Sequence, residues 1–429
     1  MNKVDVNNLK GVFDYVGSEE IIRNKIRQTL RENFELYGYT PCDSSVLYNY
    51  DLLAYKYDND AEILNEMYTL TDQGNRHLAL RYDLTMPFCK IISASKRLRL
   101  PFKRYEMGKV FRNGPVKPGR NREFYQCDID VVGIDNRYIE LEQMQLVVDI
   151  FNSLGIDIII KWNNRKLMTG LLKELNIDTS KHEKCILILD KIEKITRDEL
   201  IKEFINIGLT ESESTDLIKL FNLSVDEYNN RFKDTNNEIL KEGLEEVNDI
   251  NNSIITLGLS DNTMFTPSLA RGLSIYTGIV FEFFDKKKRL TCSLGGGGRY
   301  NKIITEFIND GNIYPAVGLS FGLEPIYAIL NTETSKSSLT TVYIVPMDTE
   351  TESLEIARVL RRNGISVEVE LNKRKVKKCF EYASKESIKY VLVVGSLELQ
   401  DNLYTLKDME KMEQYKLSLE EIIDKVKKP

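Results

Sequence analysis

Apolar residues recur at every fourth position near the beginning of the chain. Ser18, which two glutamates follow, is a typical helix N-cap with acidic residues in the first turn. The apolar positions after it are Ile22, Ile26, Leu30 and Phe34. This spacing predicts an amphipathic helix that ends near Gly38. A similar pattern predicts a second helix from about Tyr138 to Gly155, because glycine commonly terminates a helix.

Between these two helices, apolar and polar residues alternate in runs that are typical of β-strands. Residues 102–111 and 124–132 form two such runs around a loop rich in proline, glycine and arginine, residues 112–122, which predicts a long hairpin. Three later runs predict further strands: residues 279–284, 289–294 and 316–321. The sequence therefore predicts an antiparallel sheet that is interrupted in sequence by an insertion.

The middle of the chain has a helical and highly charged pattern. Residues 163–262 contain few aromatic residues and no recognisable catalytic cluster, so we expect a separate helical domain there. Residues 331–340, NTETSKSSLT, form a polar linker. Residues 341–429 alternate strand and helix, which predicts parallel strands with right-handed crossovers. Residues 1–162 and 263–330 are then two parts of one domain, and the predicted fold class is α+β.

Composition narrows the class of protein. A chain of 429 residues has room for two or three domains. Hydrophobic residues make up 42% of it and charged residues 29%, and its longest apolar runs are too short to span a membrane. The N-terminal sequence MNKVDVNNLKG has neither a secretory nor a transit pattern, so we expect a soluble, cytoplasmic protein. Six cysteines without a C-x-x-C pair, and only two histidines, predict neither a disulfide framework nor a protein metal site.

Charge leaves room for RNA binding only in local patches. The net charge of −6 argues against a protein that coats nucleic acid indiscriminately. One basic patch lies within residues 96–104. The second lies in the predicted helix 373–384 and consists of Lys373, Arg374, Lys375, Lys377 and Lys378. Each patch can be either a solvated helix face or a site for nucleic-acid phosphates.

The hairpin brings polar residues onto one face of a strand. Gln126, Asp128 and Asp130 alternate along their strand, so their side chains point to the same side. Such a surface can bind a charged substrate, or its charges can form ordinary surface ion pairs.

Four consecutive glycines, Gly295 to Gly298, would let a ligand approach the backbone closely. The alternative is a flexible loop. Their context lacks the lysine and spacing of a Walker loop and the strand-to-helix setting of a Rossmann fingerprint, which excludes both of these nucleotide sites.

Five motifs follow one another along the chain: YTLTDQGNRHLALRYDLTMPF, the arginine hairpin, RGLSIYTG, GGGGRY and PAVGLSFGLE. In this order they resemble the signatures of the histidyl-tRNA synthetases, a class II aminoacyl-tRNA synthetase family, and the final unit resembles that family's anticodon-binding domain. The resemblance covers nearly the whole chain. It implies a class II antiparallel sheet with flanking helices, a helical insertion domain and a C-terminal α/β anticodon-binding domain. It also implies that histidine is activated with ATP and Mg²⁺ and transferred to tRNA(His), by a homodimer.

The resemblance also implies roles for individual residues. Asp83, Thr85 and Gln126 would hold the α-ammonium group of histidine, because acceptors complement a cation. Asp130 and Tyr276 would bind the imidazole ring, whose two nitrogens a carboxylate and a hydroxyl can satisfy.

The arginines would act on the carboxylate and the phosphates. Arg112 and Arg271 would contact both the histidine carboxylate and the α-phosphate of ATP, aligning them for in-line attack. Arg120, Arg122 and Arg299 would bind the ATP phosphates. The basic residues Lys373, Arg374, Lys375, Lys377 and Lys378 would bind tRNA.

The motifs depart from the family pattern at four positions. Pro325 stands where the family has an arginine for ATP, and Gly114 where many members have an acidic residue for adenine. Ser274 and Ile275 replace an aspartate and a tyrosine. One interpretation is a variant ligase in which Arg120, Arg122 or Arg299 binds the phosphates.

Two alternatives are non-catalytic. The chain could be a paralogue without activation, such as a histidine-sensing regulatory subunit of ATP phosphoribosyltransferase, or a tRNA-binding module. The C-terminal domain favours the ligase, because a subunit that never meets tRNA has no need for an anticodon-binding domain.

Overall fold

The computed structural model describes residues 4–55, 62–95, 98–116, 120–270, 275–333 and 338–427. The chain divides into two compact units. The first comprises Met1–Asp14 and Ile26–Ile329, and the second comprises Tyr15–Lys25 and Leu330–Pro429. None of the helices in the described ranges combines the length and hydrophobicity that a membrane span requires.

The two predicted amphipathic helices are present. Helix α1 is Ser18–Leu36, and its apolar residues Ile22, Ile26, Leu30 and Phe34 are buried as the four-residue spacing predicts. The later helix spans Tyr138–Leu154, and Gly155 ends it in a left-handed conformation with φ of 71°. Both predictions are confirmed.

Before the insertion, the described residues of the first unit form seven strands and, besides α1, four helices. The strands are β1 (Thr40–Pro41), β2 (Leu47–Asn49), β3 (Thr69–Thr71), β4 (His77–Leu80), β5 (Phe102–Phe111), β6 (Glu123–Val132) and β7 (Ile158–Asn164). The helices are α2 (Tyr50–Ala54), α3 (Glu62–Asn65), α4 (Thr85–Ala94) and α5, the Tyr138–Leu154 helix.

The insertion is helical, as the charged pattern predicts. Its helices are α6 (Arg165–Glu174), α7 (His182–Leu189), α8 (Arg197–Asn206), α9 (Glu211–Leu220), α10 (Val225–Phe232) and α11 (Glu238–Thr256). Thr196, Thr210 and Ser224 each form a capping box with a glutamate three residues later, which fixes the starts of α8, α9 and α10. These helices belong to the same compact unit as the large sheet.

The chain then returns to the sheet. The strands that follow are β8 (Thr263–Phe265), β9 (Ile279–Asp285), β10 (Gly295–Arg299) and β11 (Ala316–Gly322), and the helices are α12 (Asn301–Ile308) and α13 (Leu323–Glu333). The eight-stranded sheet has the order β1-β5-β6-β11-β10-β9-β7-β8, and only the β1–β5 and β7–β8 pairs are parallel. Strands β2, β4 and β3 form a smaller antiparallel sheet.

One predicted strand is wrong. Residues 289–294 form bends and irregular backbone, and the strand is instead built from the four glycines and Arg299. The reason is close packing: a Cβ atom at Gly297 would lie 1.9 Å from the carbonyl oxygen of Gly318 on β11. Gly298 has a φ of +155°, and a Cβ there would lie 2.5 Å from the carbonyl oxygen of Ile279. Local propensity disfavours glycine in strands, but only glycine fits between these neighbours.

Apolar side chains cover one face of the sheet. Phe283 of β9 and Phe321 of β11 have ring centroids 5.2 Å apart, and Phe34 and Phe151 from α1 and α5 pack on them. The two helices that the sequence predicts most clearly therefore close this face. The opposite face carries the polar residues described below.

The second unit is the predicted α/β arrangement. Its sheet has the order β13 (Val367–Val369), β12 (Val342–Pro346), β14 (Tyr390–Val394), β15 (Tyr404–Asp408) and β16 (Glu413–Leu417). The first three strands are parallel and the last two antiparallel. The helices are α14 (Glu350–Arg362), α15 (Val376–Lys385), α16 (Ser396–Asp401) and α17 (Leu419–Lys427).

Two boundaries differ from the predicted ones. Helix α15 begins at Val376, so residues 373–375 precede it, and Lys373 has a positive φ of 54°. Helix α13 continues to Glu333, into the predicted linker 331–340, of which residues 334–337 lie outside the described ranges.

Candidate active site

The adjacent strands β6 and β11 build a polar face in the middle of the large sheet. In the β6–β11 register, Asp130 pairs with Gly318, Asp128 with Ser320 and Gln126 with Gly322. Glycine at position 318 lets the Asp130 carboxylate lie over β11, because a Cβ there would lie 2.1 Å from Oδ1 of Asp130. The predicted common face of the three β6 residues is confirmed.

Asp130 is buried and already has two partners. Its Oδ2 lies 2.7 Å from Nη2 of Arg104, and the hydroxyl of Tyr300 donates to Oδ1. Burial raises the pKa of Asp130, while the charge of Arg104 and the Tyr300 hydrogen bond act in the opposite direction. A carboxylate has about four lone-pair positions, so Asp130 can still accept a hydrogen bond from a ligand.

A buried ionic network continues behind Asp130. Nη1 of Arg104 lies 3.4 Å from Glu106, and Nη1 of Arg81 lies 2.9 Å from the other oxygen of Glu106. The backbone N–H of Ser44 donates to that second oxygen over 3.0 Å. This network fixes the position of the Asp130 carboxylate. No local sequence pattern indicates it, because its members come from four separate segments.

Asp128 is a second buried carboxylate on the polar face. Its side chain is buried, and its Oδ1 has no hydrogen-bond partner among the described residues. Burial raises its pKa to about 7, although Arg104 and a hydrogen bond with Ser320 lower it. The strand alternation predicts that Asp128 faces this side, but neither the alternation nor the family resemblance indicates a role for it.

Gln126 lies next to Asp128 towards the open end of the face. Its Nε2 donates to the hydroxyl of Ser320 over 3.3 Å. Its Oε1 is buried without a hydrogen-bond partner among the described residues. A buried acceptor without a donor is costly unless a ligand supplies the donor.

Asp83 and Thr85 lie at the start of helix α4. Oδ1 of Asp83 accepts the backbone N–H of Met86 over 3.1 Å, as a helix-capping carboxylate does. Asp83 is buried and Thr85 half-buried. The segment thereby holds a carboxylate in a defined orientation.

Tyr276 lies against the glycine strand. It is 9% exposed, and its Cδ1 lies 3.1 Å from the position that a Cβ at Gly298 would take. Ile275 packs on the adjoining apolar cluster. Arg271 and Ser274 lie outside the described residues.

Arg112 lines a cleft beside the hairpin. Its Nε donates to the carbonyl oxygen of Tyr82 over 3.1 Å, and its guanidinium lies 5.0 Å from the ring centroid of Phe124. The cleft has a volume of about 130 Å³ and is lined by Glu66, Arg112, Gly114, Pro115, Arg120, Asn121 and Phe124. Ligand pockets usually exceed about 300 Å³, so this cleft fits part of a ligand. Nε of Arg122 donates to the carbonyl oxygen of Gly114 at its rim.

The structure corrects the expected role of Arg299 in phosphate binding. Arg299 pairs with Val317 in the sheet and points away from the polar face. Its Nε and Nη2 donate to the two oxygens of Glu140 on α5 over 2.7 and 2.8 Å. Nη1 and Nη2 also donate to the carbonyl oxygens of Ile134 and Asn136. The guanidinium is therefore a buried structural cation on the far side of the sheet.

Pro325 stands where the family pattern has an arginine, and it brings no positive charge to the site. Pro325 lies in the first turn of α13, where a missing N–H is tolerated, and its ring lies 2.8 Å from the position of a Cβ at Gly322. A proline here supplies packing and neither charge nor donor.

Of the five predicted tRNA-binding residues in the second unit, two form ion pairs with described residues. Lys373 lies 3.3 Å from Glu350, and Arg374 lies 3.5 Å from Glu370. Lys375, Lys377 and Lys378 are exposed. In the other basic patch, Arg104 is buried and Lys103 pairs with Glu142, while Lys96 and Arg97 lie outside the described residues.

Comparisons with known proteins agree with this geometry. A family model described as histidyl-tRNA synthetase matches residues 11–326, and a model described as anticodon binding domain matches residues 341–429. Histidine–tRNA ligase 1 of Bacillus cereus is 43% identical over 421 residues, which cover 97% of this chain and 98% of the relative. Histidine–tRNA ligase 2 of Shouchella clausii is 40% identical over 96% of this chain and 97% of the relative.

Solved structures have the same fold. The histidyl-tRNA synthetase of Nostoc sp. PCC 7120 superposes with a TM-score of 0.88 at 27% identity and covers 99% of both chains. A Bacillus halodurans structure titled as an ATP phosphoribosyltransferase regulatory subunit/histidyl-tRNA synthetase has a TM-score of 0.77 at 19% identity, over 92% of this chain and all of that one. At that identity the likeness concerns the fold alone.

Proposed function

Because the chain belongs to the histidyl-tRNA synthetase family, we propose that it is a histidine–tRNA ligase that forms histidyl-adenylate from histidine and ATP and then esterifies tRNA(His). The observation that carries this proposal is the polar face of β6, where buried acceptors on Gln126 and Asp128 lie beside the arginine-lined cleft. Such acceptors complement a cationic amino acid, and the arginines complement phosphates.

The α-ammonium group of histidine binds between two segments. Gln126 offers the Oε1 that lacks a partner, and Asp83 offers a carboxylate that the N-terminus of α4 orients. Thr85 adds a hydroxyl from the first residue of that helix. These groups accept hydrogen bonds and therefore select a protonated amine.

The imidazole ring binds deeper, between Asp130 and Tyr276. Asp130 is held by Arg104 and Tyr300, so its carboxylate accepts a ring N–H in a fixed direction. Tyr276, which packs against the glycine strand, supplies the hydroxyl for the other ring nitrogen. An apolar amino acid of the same size would leave these groups unpaired, which opposes its binding.

Arg112 and Arg271 bring the carboxylate and the α-phosphate together. A histidine carboxylate oxygen attacks the α-phosphorus in line, the bond to the β-phosphate oxygen breaks, and pyrophosphate leaves. Arg112 balances charge on both reactants, and its bond to Tyr82 and its contact with Phe124 hold it in place. The adenylate carbonyl is then attacked by a hydroxyl at the 3′ end of tRNA, and AMP leaves.

The remaining phosphates lie towards Arg120 and Arg122, with Mg²⁺ bound to ATP. Among the described residues no group of three His, Cys, Asp or Glu side chains could hold a metal ion. Mg²⁺ would be held chiefly by the phosphates of ATP, because this ion keeps several waters and needs few protein carboxylates. Glu282, which pairs with Gly296 in the sheet and so faces the polar side, would supply one carboxylate to the ion. Bound Mg²⁺ would neutralise charge on the phosphates.

The second unit reads tRNA, and the basic residues before and within α15 contact its backbone. Lys375, Lys377 and Lys378 are exposed and form no ion pair with a described residue, so their charges are available to phosphates. Lys373 and Arg374 would exchange their present carboxylate partners for phosphate.

We also propose that the protein is a homodimer in the cytoplasm. Tyr55, Leu47 and Leu70, near or on the small β2-β4-β3 sheet, are exposed apolar side chains that a second copy can cover. The cytoplasm is the compartment in which charged tRNA is used. The non-catalytic alternatives are not favoured, because the full-length relatives are ligases by name and residues 341–429 match an anticodon-binding domain.

Histidine-dependent exchange of labelled pyrophosphate into ATP tests the activation step. We expect exchange with histidine and not with other amino acids, and Arg112→Ala should reduce it at least about 100-fold, as loss of one transition-state donor does. Arg137→Ala, at an exposed ion pair with Asp249, is the control and should leave exchange unchanged. A chain that binds histidine and shows no exchange would be one of the non-catalytic alternatives.

A further inference from the structure

The cleft beside Arg112 contains a carboxylate where residue 114 has no side chain. A Cβ atom at Gly114 would lie 2.5 Å from Oε1 and 2.9 Å from Cδ of Glu66. Glu66 is 48 positions earlier in the chain, yet its carboxylate fills the volume that a side chain at 114 would occupy. The backbone N–H of Asn113 donates to the carbonyl oxygen of Glu66 over 2.7 Å, which ties the two segments together.

The Glu66 carboxylate is half-buried and available. It forms no hydrogen bond or ion pair with any described residue, although Arg112 and Arg120 line the same cleft. Arg112 instead donates to Tyr82 and lies over Phe124. A carboxylate only accepts hydrogen bonds, so a ligand group that contacts it must be a donor.

The other walls of the cleft suit a nucleobase. The ring of Phe124 is a planar group on which a base can stack, and such stacking is insensitive to base identity. The selection must therefore come from an edge contact. Adenine has an amino group at position 6, whereas guanine has a carbonyl oxygen there, which a carboxylate repels.

We propose that Glu66, whose carboxylate occupies the place of a side chain at position 114, selects adenine in the ATP site by accepting a hydrogen bond from the 6-amino group. This proposal rests on the proposed function and adds the residue that distinguishes ATP from GTP. The acidic group that the family pattern has at position 114 is thus supplied by another segment of this chain.

Glu66→Ala and Glu66→Gln test the proposal in the full-length protein. We expect Glu66→Ala to raise the KM for ATP in pyrophosphate exchange about 10- to 100-fold, the range for one hydrogen bond to a charged group, and to leave the KM for histidine unchanged. Purine riboside triphosphate, which lacks the 6-amino group, should have the same KM with the wild type and with both variants. Glu66→Gln should increase the use of GTP relative to ATP, because an amide can donate to the carbonyl oxygen.

A rescue separates this role from a structural one. In Glu66→Ala/Gly114→Glu the carboxylate returns from the other segment, and the KM for ATP should recover by at least about tenfold. Gly114→Glu alone places two carboxylates in one space and should weaken ATP binding. Glu123→Ala is the matched control, since its carboxylate pairs with Lys109 on the same hairpin, and should leave the KM for ATP unchanged.

Two results would overturn the assignment: an unchanged KM for ATP in Glu66→Ala, or an equal loss for ATP and for purine riboside triphosphate. Failure of the proposed function is a different outcome, namely no histidine-dependent exchange by the wild type. In that case the affinities of ATP and of the analogue, measured by calorimetry for the wild type and Glu66→Ala, give the same comparison without turnover.

Discussion

Asp128→Asn should change how the stability of the protein depends on pH. Asp128 is 5% exposed, and burial raises its pKa from the ordinary value of 3.8 to about 7. Asparagine has nearly the same shape but does not ionise. The variant therefore removes one titration and preserves the packing of the polar face.

The sign follows from which state binds the proton more tightly. The pKa of Asp128 is higher in the folded than in the unfolded chain, so protonation stabilises the folded state. This stabilisation is complete below about pH 4 and is lost as the pH rises through about 7. From pH 5 to pH 7 this titration lowers the free energy of unfolding by about 1.36 kcal/mol per pH unit, which is roughly 3 kcal/mol in total. The wild type loses this stability over that interval, and Asp128→Asn does not.

Thermal unfolding at pH 5, 6, 7 and 8 measures the effect. The Tm of the variant minus that of the wild type should become more positive from pH 5 to pH 7, by on the order of 5 °C, and then level off. Asp261→Asn, at an exposed position, is the control and should follow the wild type at every pH. A difference that is constant with pH, or that becomes more negative, would refute the reasoning.

Two further predictions concern Arg299 and the basic residues of α15. Arg299→Met should destabilise the protein by about 3–5 kcal/mol, since it leaves the buried Glu140 carboxylate without its cation, and Arg299→Met/Glu140→Leu should recover most of that stability in urea unfolding. Both should keep the wild-type KM for ATP, and a tenfold rise in the stable double variant would return Arg299 to the ATP site. Lys377→Glu/Lys378→Glu should raise the KM for tRNA in aminoacylation, weaken its dependence on salt and leave pyrophosphate exchange unchanged. Lys411→Glu/Lys416→Glu, on the exposed β15–β16 hairpin, is the control, and an equal effect of both pairs would mean that only net charge matters.

The glycine run shows where a local pattern misleads. Local propensity predicts that residues 289–294 form a strand and that four consecutive glycines form a loop. The structure reverses this, because β10 lies between β9 and β11 at distances that exclude a side chain at Gly297. The need for glycine comes from neighbouring strands that lie far from it in the sequence, so no local window contains it.

Strong periodicity in the sequence was enough to predict several elements and the faces that follow from them. The four-residue spacing of α1 and the alternation of Gln126, Asp128 and Asp130 are local properties, and the structure has both. Only the tertiary structure shows where each charged side chain lies and which partner it has. Arg299 reached Glu140, 159 positions away, and Glu66 entered the space beside Gly114. Periodicity fixes the direction of a side chain relative to its own helix or strand, whereas its partner depends on how distant segments pack together.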